Sequence, residues 1–322
     1  MTAAIAASTA ASVSELRSYD PRRDMLALAS LIEMGFPGRL DDAGERLIRG
    51  MRFFGRAGWL GALLGRWVLP PAAFPYGYVW EQDGQVVGNA SVLPVRDFSE
   101  RWVMANVAVR PEYRGRGIAR ELVRACLELA RQRGGRKVIL QVDSGNEAAL
   151  ALYRSQGFQM LSERRTWRAD ARRLELQVAS SEKARPRLPQ EWRQQWALAR
   201  RLYPEGLIWP YPTSAAFFRP LHLERLGRLE DPHHWVWVED GRILGSLSRR
   251  RGPTPGTERL ILVVEPAVRG RAENDLLAMA LGEARIRARE YILDYPLGQI
   301  EDLLRGMGWR PQRDLIWMGI NL

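Results

Sequence analysis

The chain is predicted to be α+β in three layers (α/β/α). It carries two copies of one domain, each a mixed, mostly antiparallel sheet flanked by helices. Three observations predict this. Residues 76–109 read as an antiparallel meander, with Asp83-Gly84 as a hairpin turn. A strand–turn–helix–strand unit follows over 103–142, and a crossover of that kind makes its two strands parallel. The same order of elements then recurs in the second half.

The elements follow in order. Residues 1–13 are rich in Ala, Ser and Thr and lack a basic start followed by an apolar core, so they read as a disordered lead rather than a secretion signal. Glu15–Tyr19 predicts an edge strand. Arg22 to Arg49 spaces its apolar residues helically and breaks at Phe36-Pro37-Gly38 into two helices. Residues 53–74 are strongly apolar, with four glycines, Trp59 and Trp67, and stop at Pro70-Pro71. Arg56 and Arg66 interrupt the run, which argues against a membrane span. Three readings stay open: a buried helix and loop, the lining of a site for an apolar group, or a surface that touches a membrane.

Strands at Tyr76–Trp80, Val86–Val92 and Arg101–Val109 lead into a basic glycine turn, Arg114-Gly115-Arg116-Gly117. Ile118, Leu122, Val123, Cys126, Leu127 and Ala130 then recur three and four apart, which predicts a helix closed by Gly134-Gly135. Lys137–Val142 is the next strand. Asn146 caps a helix to about Gln156, Gly157 ends it, and Phe158 opens a returning strand through Trp167. A charged stretch with Pro186 and Pro189 marks a domain boundary, with Leu174–Val178 as a possible strand. The second half reads helix (Glu191–Tyr203), aromatic loop (Trp209–Pro220), three strands (Trp235–Glu239, Ile243–Ser248, Arg259–Glu265), helix (Ala272–Arg289), strand (Tyr291–Tyr295), short helix (Ile300–Arg305) and strand (Leu315–Ile320).

The repeat is explicit. VWEQDGQVVGNASV (79–92) matches VWVEDGRILGSLSR (236–249), NVAVRPEYRGRG (106–117) matches ILVVEPAVRGRA (261–272), and LYRSQGF (152–158) matches LLRGMGW (303–309). Domains are therefore expected at 14–170 and 171–322.

Net charge is +11, from 48 Lys and Arg against 37 Asp and Glu, which suits an anionic ligand. No Cys/His finger spacing and no long basic run interleaved with aromatics occurs, so nucleic acid is not expected as a partner. The single cysteine, Cys126, lies on the apolar side of its helix and reads as a core thiol. The lack of a disulfide framework fits a cytoplasmic protein.

The turn at 112–119 carries the chemistry. A strand, a glycine turn and a helix N-terminus present unpaired backbone N–H groups to an anion. Gly115 and Gly117 leave no Cβ in the way, and Arg114 and Arg116 can add charge-assisted bonds to phosphate. Residues 76–168 resemble the GNAT superfamily of acyl-CoA-dependent N-acyltransferases. Arg114-Gly115-Arg116-Gly117-Ile118-Ala119 fits its signature, Gln or Arg, two residues, Gly, one residue, Gly or Ala. Asn146, Ala149, Tyr153, Gly157 and Phe158 fit the later N-x-x-A-x-x-x-Y-x-x-x-G-F segment.

The resemblance implies acetyl-CoA or another acyl-CoA as co-substrate, no metal, and a central parallel pair of strands that splay apart. It implies that Val107, Ala108 and Val109 hold the pantetheine arm and that the amides of 114–119 hold the pyrophosphate. It implies that Asn146 contacts the cofactor side, and that Tyr153 protonates the departing thiolate. A phenol near a nascent thiolate is a sensible acid in its own right; the competing reading of Tyr153 is packing beside Leu150. The base is not evident. Asn106 stands where relatives often carry a carboxylate, and Glu81 is the candidate.

The second copy departs from the signature at Arg269-Gly270-Arg271-Ala272-Glu273-Asn274. It has Leu303 or Leu304 in place of Tyr153, so it is expected to be structural or to shape the acceptor cleft. His233 and His234 lack ligand partners at metal spacing and read as surface or strand-edge residues, with a contribution to the acceptor cleft beside the aromatic loop 209–218 as the alternative. The expected acceptor is a small-molecule, peptide or protein amine, and the expected state a monomer or homodimer. Two other readings stay open: a non-catalytic acyl-CoA-binding regulator, and a transferase of long-chain or aminoacyl groups to lipid or peptide.

Overall fold

The computed structural model describes residues 14–35, 42–68, 75–95, 98–175, 182–202, 214–220, 232–252, 255–284 and 288–322. The chain packs as two compact units, Met1–Leu93 with Met104–Arg133, and Pro94–Val103 with Gly134–Leu322. These bounds differ from the 14–170 and 171–322 expected, for a reason that the second unit makes plain.

Unit one contains β1 (Ser14–Ser18), α1 (Pro21–Gly35), α2 (Asp42–Gly55), α3 (Gly58–Val68), β2 (Tyr76–Gln82), most of β3 (Gln85–Val95), the end of β4 (Phe98–Val109) and α4 (Ile118–Gln132). Its strands run in the order β1-β2-β3-β4. Asp83 and Gly84, at φ 50° and 77°, make the predicted hairpin between β2 and β3. Helices α1, α2 and α3 bury Met25, Leu28, Ile48, Met51 and Ala62 in one cluster with Val79, Val86 and Ala108. Helix α4 packs at Gly88, where an added Cβ would meet Leu122 and Ile118 at 3.0 and 3.1 Å. The break expected at Phe36-Pro37-Gly38 lies outside the described residues.

Helix α3 corrects the first reading of 53–74. It is not buried by its large residues. Gly61 and Ala62 face inward, while Trp59 is 67% and Trp67 87% exposed. A Cβ at Gly61 would lie 1.7 Å from the Phe54 carbonyl oxygen, so the small residues are what let α3 lie against α2.

Unit two contains the start of β4, then β5 (Lys137–Asp143), α5 (Glu147–Ser155), β6 (Gln159–Asp170), β7 (Ala184–Pro186), α6 (Trp192–Leu202), β8 (His233–Glu239), β9 (Arg242–Arg251), β10 (Thr257–Val264), α7 (Arg271–Ala284), β11 (Glu290–Pro296), α8 (Glu301–Gly306) and β12 (Arg310–Asn321). The strand expected at Leu174–Val178 is absent at 174–175, and its remainder lies outside the described residues. The order is β4-β5-β12-β6-β11-β10-β9-β8-β7. Both faces are covered. Leu260, Leu262 and Val264 join α7 in one core, while Ile261 and Val263 join Leu198 of α6 in another, the alternation a strand imposes. That gives the predicted three layers.

The repeat is visible in detail. Asp240 and Gly241 (φ 48° and 71°) repeat the first hairpin, and the register shift between Trp80 and Glu81 recurs between Trp237 and Val238. The closing strands, however, are exchanged. The strand that ends the first copy, β6, pairs antiparallel with β11 of the second, Asp170 to Arg164 against Glu290 to Pro296. The strand that ends the second, β12, pairs antiparallel with β5 of the first, Asn321 to Leu315 against Lys137 to Asp143. The two exchanged strands also pair with each other from Arg310↔Arg168 to Gly319↔Gln159. No cut at residue 170 separates two complete sheets, hence the different unit boundary.

Side chains lock the exchange. Thr166 Oγ1 of β6 donates to Asp294 Oδ1 of β11 at 2.6 Å, and Arg259 donates to Asp294 Oδ2 at 2.7 Å, all buried. Arg165 bonds both oxygens of Asp314 on β12, at 2.6 and 2.7 Å, and its guanidinium holds that carboxyl below the usual carboxylate range. Removing Asp294 leaves Arg259 buried without that carboxylate. Asp294→Ala is expected to cost about 3–5 kcal/mol, and Thr166→Val about 1 kcal/mol, in urea denaturation. Equal small losses would show that this network does not hold β6 in place.

Candidate functional site

Strand β4 ends at Val109, and Pro111–Tyr113 makes one 3-10 turn. Gly115 and Gly117 then take φ 76° and 82°. Gly117 is the N-cap of α4, and the first α4 amide to bond is that of Arg120, to the Gly117 carbonyl at 2.9 Å. The amides of residues 115–119 therefore find no acceptor among the described residues, as a helix start leaves them. A Cβ built at Gly115 or Gly117 meets nothing within 4 Å, so the concave side of the turn is open. Side chains brace the turn from behind. Arg114 Nε donates to the Val109 carbonyl at 3.0 Å, Arg116 donates to the Glu112 carbonyl at 3.0 Å, and Arg116 lies 5.1 Å over the Tyr113 ring. Both arginines stay exposed, with donors left to bind an anion. The turn thus fits a diphosphate: open, amide-lined and flanked by fixed positive charge.

Just upstream lies a feature that sequence reasoning missed. Asn106, inside β4, sits at φ +55°. A left-handed residue in a strand breaks the ladder and re-aims the backbone that follows, here Val107, Ala108 and Val109. Asn89 of β3, fully buried, donates through Nδ2 to the Asn106 carbonyl at 2.8 Å and to Ser91 Oγ at 3.2 Å. Its own Oδ1 accepts no hydrogen bond among the described residues. The corresponding β10 carries Ile261 and pairs with β9 without a register shift from Glu258 to Val264. The signal that could have found it is an Asn in an otherwise apolar strand, since Asn is rare there and tolerates left-handed backbone. In unit two, the parallel pairing of β4 with β5 covers only Arg101–Val103 against Lys137–Ile139.

The other expected residues fall as follows. Asn146 is the N-cap of α5, its Oδ1 accepting from the Ala149 amide at 3.2 Å. Tyr153, on α5, is 7% exposed and packs edge-on to Phe158, ring centroids 5.7 Å apart. Burial pushes the phenol above its ordinary range, and its hydroxyl has no hydrogen-bond partner among the described residues. Leu150 is buried on the same helix. Glu81, on β2, is ion-paired: Oε2 lies 2.6 Å from Arg17 and 3.4 Å from Arg23. Lone pairs held by guanidinium groups are poorly placed to take a proton from an amine, which favours a structural role for Glu81. Cys126 is buried, donates to the Ala90 carbonyl at 3.3 Å, and burial pushes it up to about 12, so it is a core thiol as read. His234 Nδ1 lies 2.8 Å from Ser248 Oγ, and its ring stacks on Phe218 at 5.8 Å, a packing role. The aromatic loop is described only from Ser214 on. A hollow of about 600 Å³ opens at the start of β4 and β5, lined by Phe98, Arg101, Arg136 and Lys137, at the opposite end of β4 from Val109.

The second copy of the turn is occupied by its own side chain. Glu273, fully buried, accepts from the Gly270 amide at 2.6 Å and from Tyr295 Oη at 2.7 Å. Helix α7 already begins at Arg271, so Ala272, at the place of Gly117, is helical rather than left-handed.

The acetyltransferase (GNAT) family matches residues 52–158, so the chain contains an acetyltransferase domain of the GNAT family. Among relatives, the N-alpha-acetyltransferase RimI of Mycobacterium tuberculosis is 41% identical over 107 residues, 30% of this chain and 66% of that protein. N-acetyltransferase 8 of Rattus norvegicus is 37% identical over 89 residues, 27% of this chain. The chain spans 40% of that rat protein's length. A tandem GNAT protein from the clavulanic acid biosynthesis pathway superposes over 96% of this chain and 98% of its own, with TM-score 0.56 and 19% identity. A GCN5-related N-acetyltransferase from Sphaerobacter thermophilus does so over 96% and 95%, with TM-score 0.60 and 16% identity. These two likenesses bear on the fold alone.

The Asn106 backbone makes a sharp stability prediction. Asn106→Val places a β-branched residue in left-handed backbone and is expected to cost about 1–2 kcal/mol, while Asn106→Gly stays near wild type in thermal or urea unfolding. Equal stability of the two variants would mean the strand runs straight.

Proposed function

We propose that the chain is an acyl-CoA-dependent N-acyltransferase that moves an acetyl group to a primary amine by direct attack in a ternary complex. One observation carries the reading: the open, amide-lined turn at 114–119, present in the first copy and self-occupied in the second. The amides of 115–119 and the exposed guanidinium groups of Arg114 and Arg116 hold the diphosphate. The re-aimed backbone of Val107, Ala108 and Val109 holds the pantetheine amides. Asn146 caps α5, and the family resemblance gives it a contact with the carrier. When bound, acyl-CoA supplies the thioester carbonyl that the amine attacks. Tyr153 delivers a proton to the sulfur as it leaves.

Burial keeps the Tyr153 phenol protonated, and the same raised pKa makes it a weaker acid that gives up its proton only as charge builds on the departing sulfur. Burial disfavours the phenolate, so the raised group keeps its proton as pH rises through its ordinary value of about 10. A base is not assigned to a side chain; amines with an accessible neutral fraction need little help. Among the described residues, no group of three or more His, Cys, Asp or Glu is placed to hold a metal. RimI of M. tuberculosis is named an N-alpha-acetyltransferase and a Bacillus subtilis relative a putative ribosomal-protein alanine N-acetyltransferase. These names favour a peptide or protein α-amine as the acceptor over a small-molecule amine. In this reading the C-terminal copy is a structural partner.

Turnover of acetyl-CoA with a panel of peptides and small amines tests the proposal. Tyr153→Phe is expected to lower kcat about 10²–10⁴-fold with little change in KM for acetyl-CoA. In the wild type, any alkaline fall in kcat from this group begins above about pH 10. Gly117→Val is expected to raise KM for acetyl-CoA about ten-fold or more, a loss of about 1.4 kcal/mol in binding. Tight acetyl-CoA binding with no turnover on any amine would favour a regulator instead.

A further inference from the structure

Helix α3 is built inside out for a helix bathed in water. Its inward residues are the small ones, Gly61, Ala62 and Gly65, and its outward residues are Trp59, Leu60, Leu63, Leu64, Trp67 and Val68, from 46% to 87% exposed. A water-facing helix carries polar residues on that side. Phe53, near the end of α2, is 71% exposed as well. Single exposed apolar residues are ordinary, but a continuous face ending in two tryptophans marks an interaction surface.

Charge selects the occupant. From Arg46 to Trp80 the chain has five arginines and no Asp or Glu. Arg46, Arg49, Phe53 and Arg56 are exposed and recur three and four apart. Arg49 lies 3.7 Å from Glu45, and Arg52 pairs with Glu33 on α1, while Arg46 and Arg56 have no acidic partner among the described residues. A second copy docked two-fold on this face would set arginine against arginine. A negatively charged surface with an apolar interior beneath it matches both features. Tryptophan and arginine each favour that boundary, the indole at headgroup depth and the guanidinium at the phosphates. Eleven residues make about 16 Å of helix, against about 30 Å of hydrocarbon, and no helix among the described residues is long and apolar enough to cross a membrane. The helix would therefore lie on the surface.

We propose that the outer face of α3, with the arginines of α2, is a peripheral membrane-binding surface that inserts Trp59, Leu63, Leu64 and Trp67 into the headgroup region of an anionic bilayer. The proposal is independent of the acyl-transfer reading.

The test uses the full chain with large unilamellar vesicles, of phosphatidylcholine alone or with one third phosphatidylglycerol, in sedimentation and hydrogen-exchange experiments. Expected is binding to the anionic vesicles about ten-fold or more tighter than to neutral ones, weakened by salt. Protection from exchange should concentrate in residues 53–68. Leu64→Glu with Trp67→Glu, both at exposed positions, should reduce binding about ten-fold or more while circular dichroism stays unchanged. If that variant fails to fold, the wild-type exchange map decides alone. No binding by the wild type, binding with protection elsewhere, or binding indifferent to a folded variant would overturn the proposal. So would a concentration-dependent dimer that the same variant dissolves, which would give the face to a second copy.

Discussion

The antiparallel pairing of β6 with β12 is the constraint on which unit two depends. Each strand closes the sheet of the other copy, β6 on β11 and β12 on β5, and the pair forms the middle of the order. Register is fixed by what each strand buries. Trp167 and Trp317, both essentially buried, lie on these two strands, and a slip of one residue would turn each toward the wrong face. The buried Thr166–Asp294–Arg259 network and the Arg165–Asp314 pair add direction to that packing. The buried Arg259–Asp294 pair is tolerated because each charge has its counter-charge, and Thr166 ties that pair to β6 across the exchange.

Much of this was legible in the sequence, and the reason is periodicity. The hairpins at Asp83-Gly84 and Asp240-Gly241, the helix after Gly117 and the cap at Asn146 are each local, set by residues within a turn of one another. The exchange was not legible. The short apolar run at Leu315–Ile320 and the stretch that returns from Phe158 to Trp167 read as strands, but such a run carries no name for a partner. Helix α3 was left among three readings for a related reason. Its composition is apolar, and composition alone suggests burial. The decision was made by shape, because glycines approach a neighbouring backbone more closely than leucines can.

In the candidate site the legible part was again the local part. Gly115 and Gly117 announce a left-handed turn, and both adopt one. The left-handed backbone of Asn106 and its hold by Asn89 were not foreseen because their meaning is a long-range pair: an amide on one strand holding the carbonyl of a strained residue on the next. Glu81 was considered as a base on its charge alone, and the ion pairs with Arg17 and Arg23 could not be foreseen from spacing.

The two glycine turns differ in one further respect. In the second copy, Glu273 serves as a built-in counter-ion, and its buried carboxylate, pushed upward in pKa by desolvation, satisfies the start of α7 from within. That helix start has nothing to gain from a visiting anion, whereas the start of α4 still has amides to satisfy. Thermodynamic linkage would then make the halves unequal: an anion bound at the start of α4 would stabilise that region with the logarithm of its concentration, while the region around α7, already satisfied from within, would gain nothing from it.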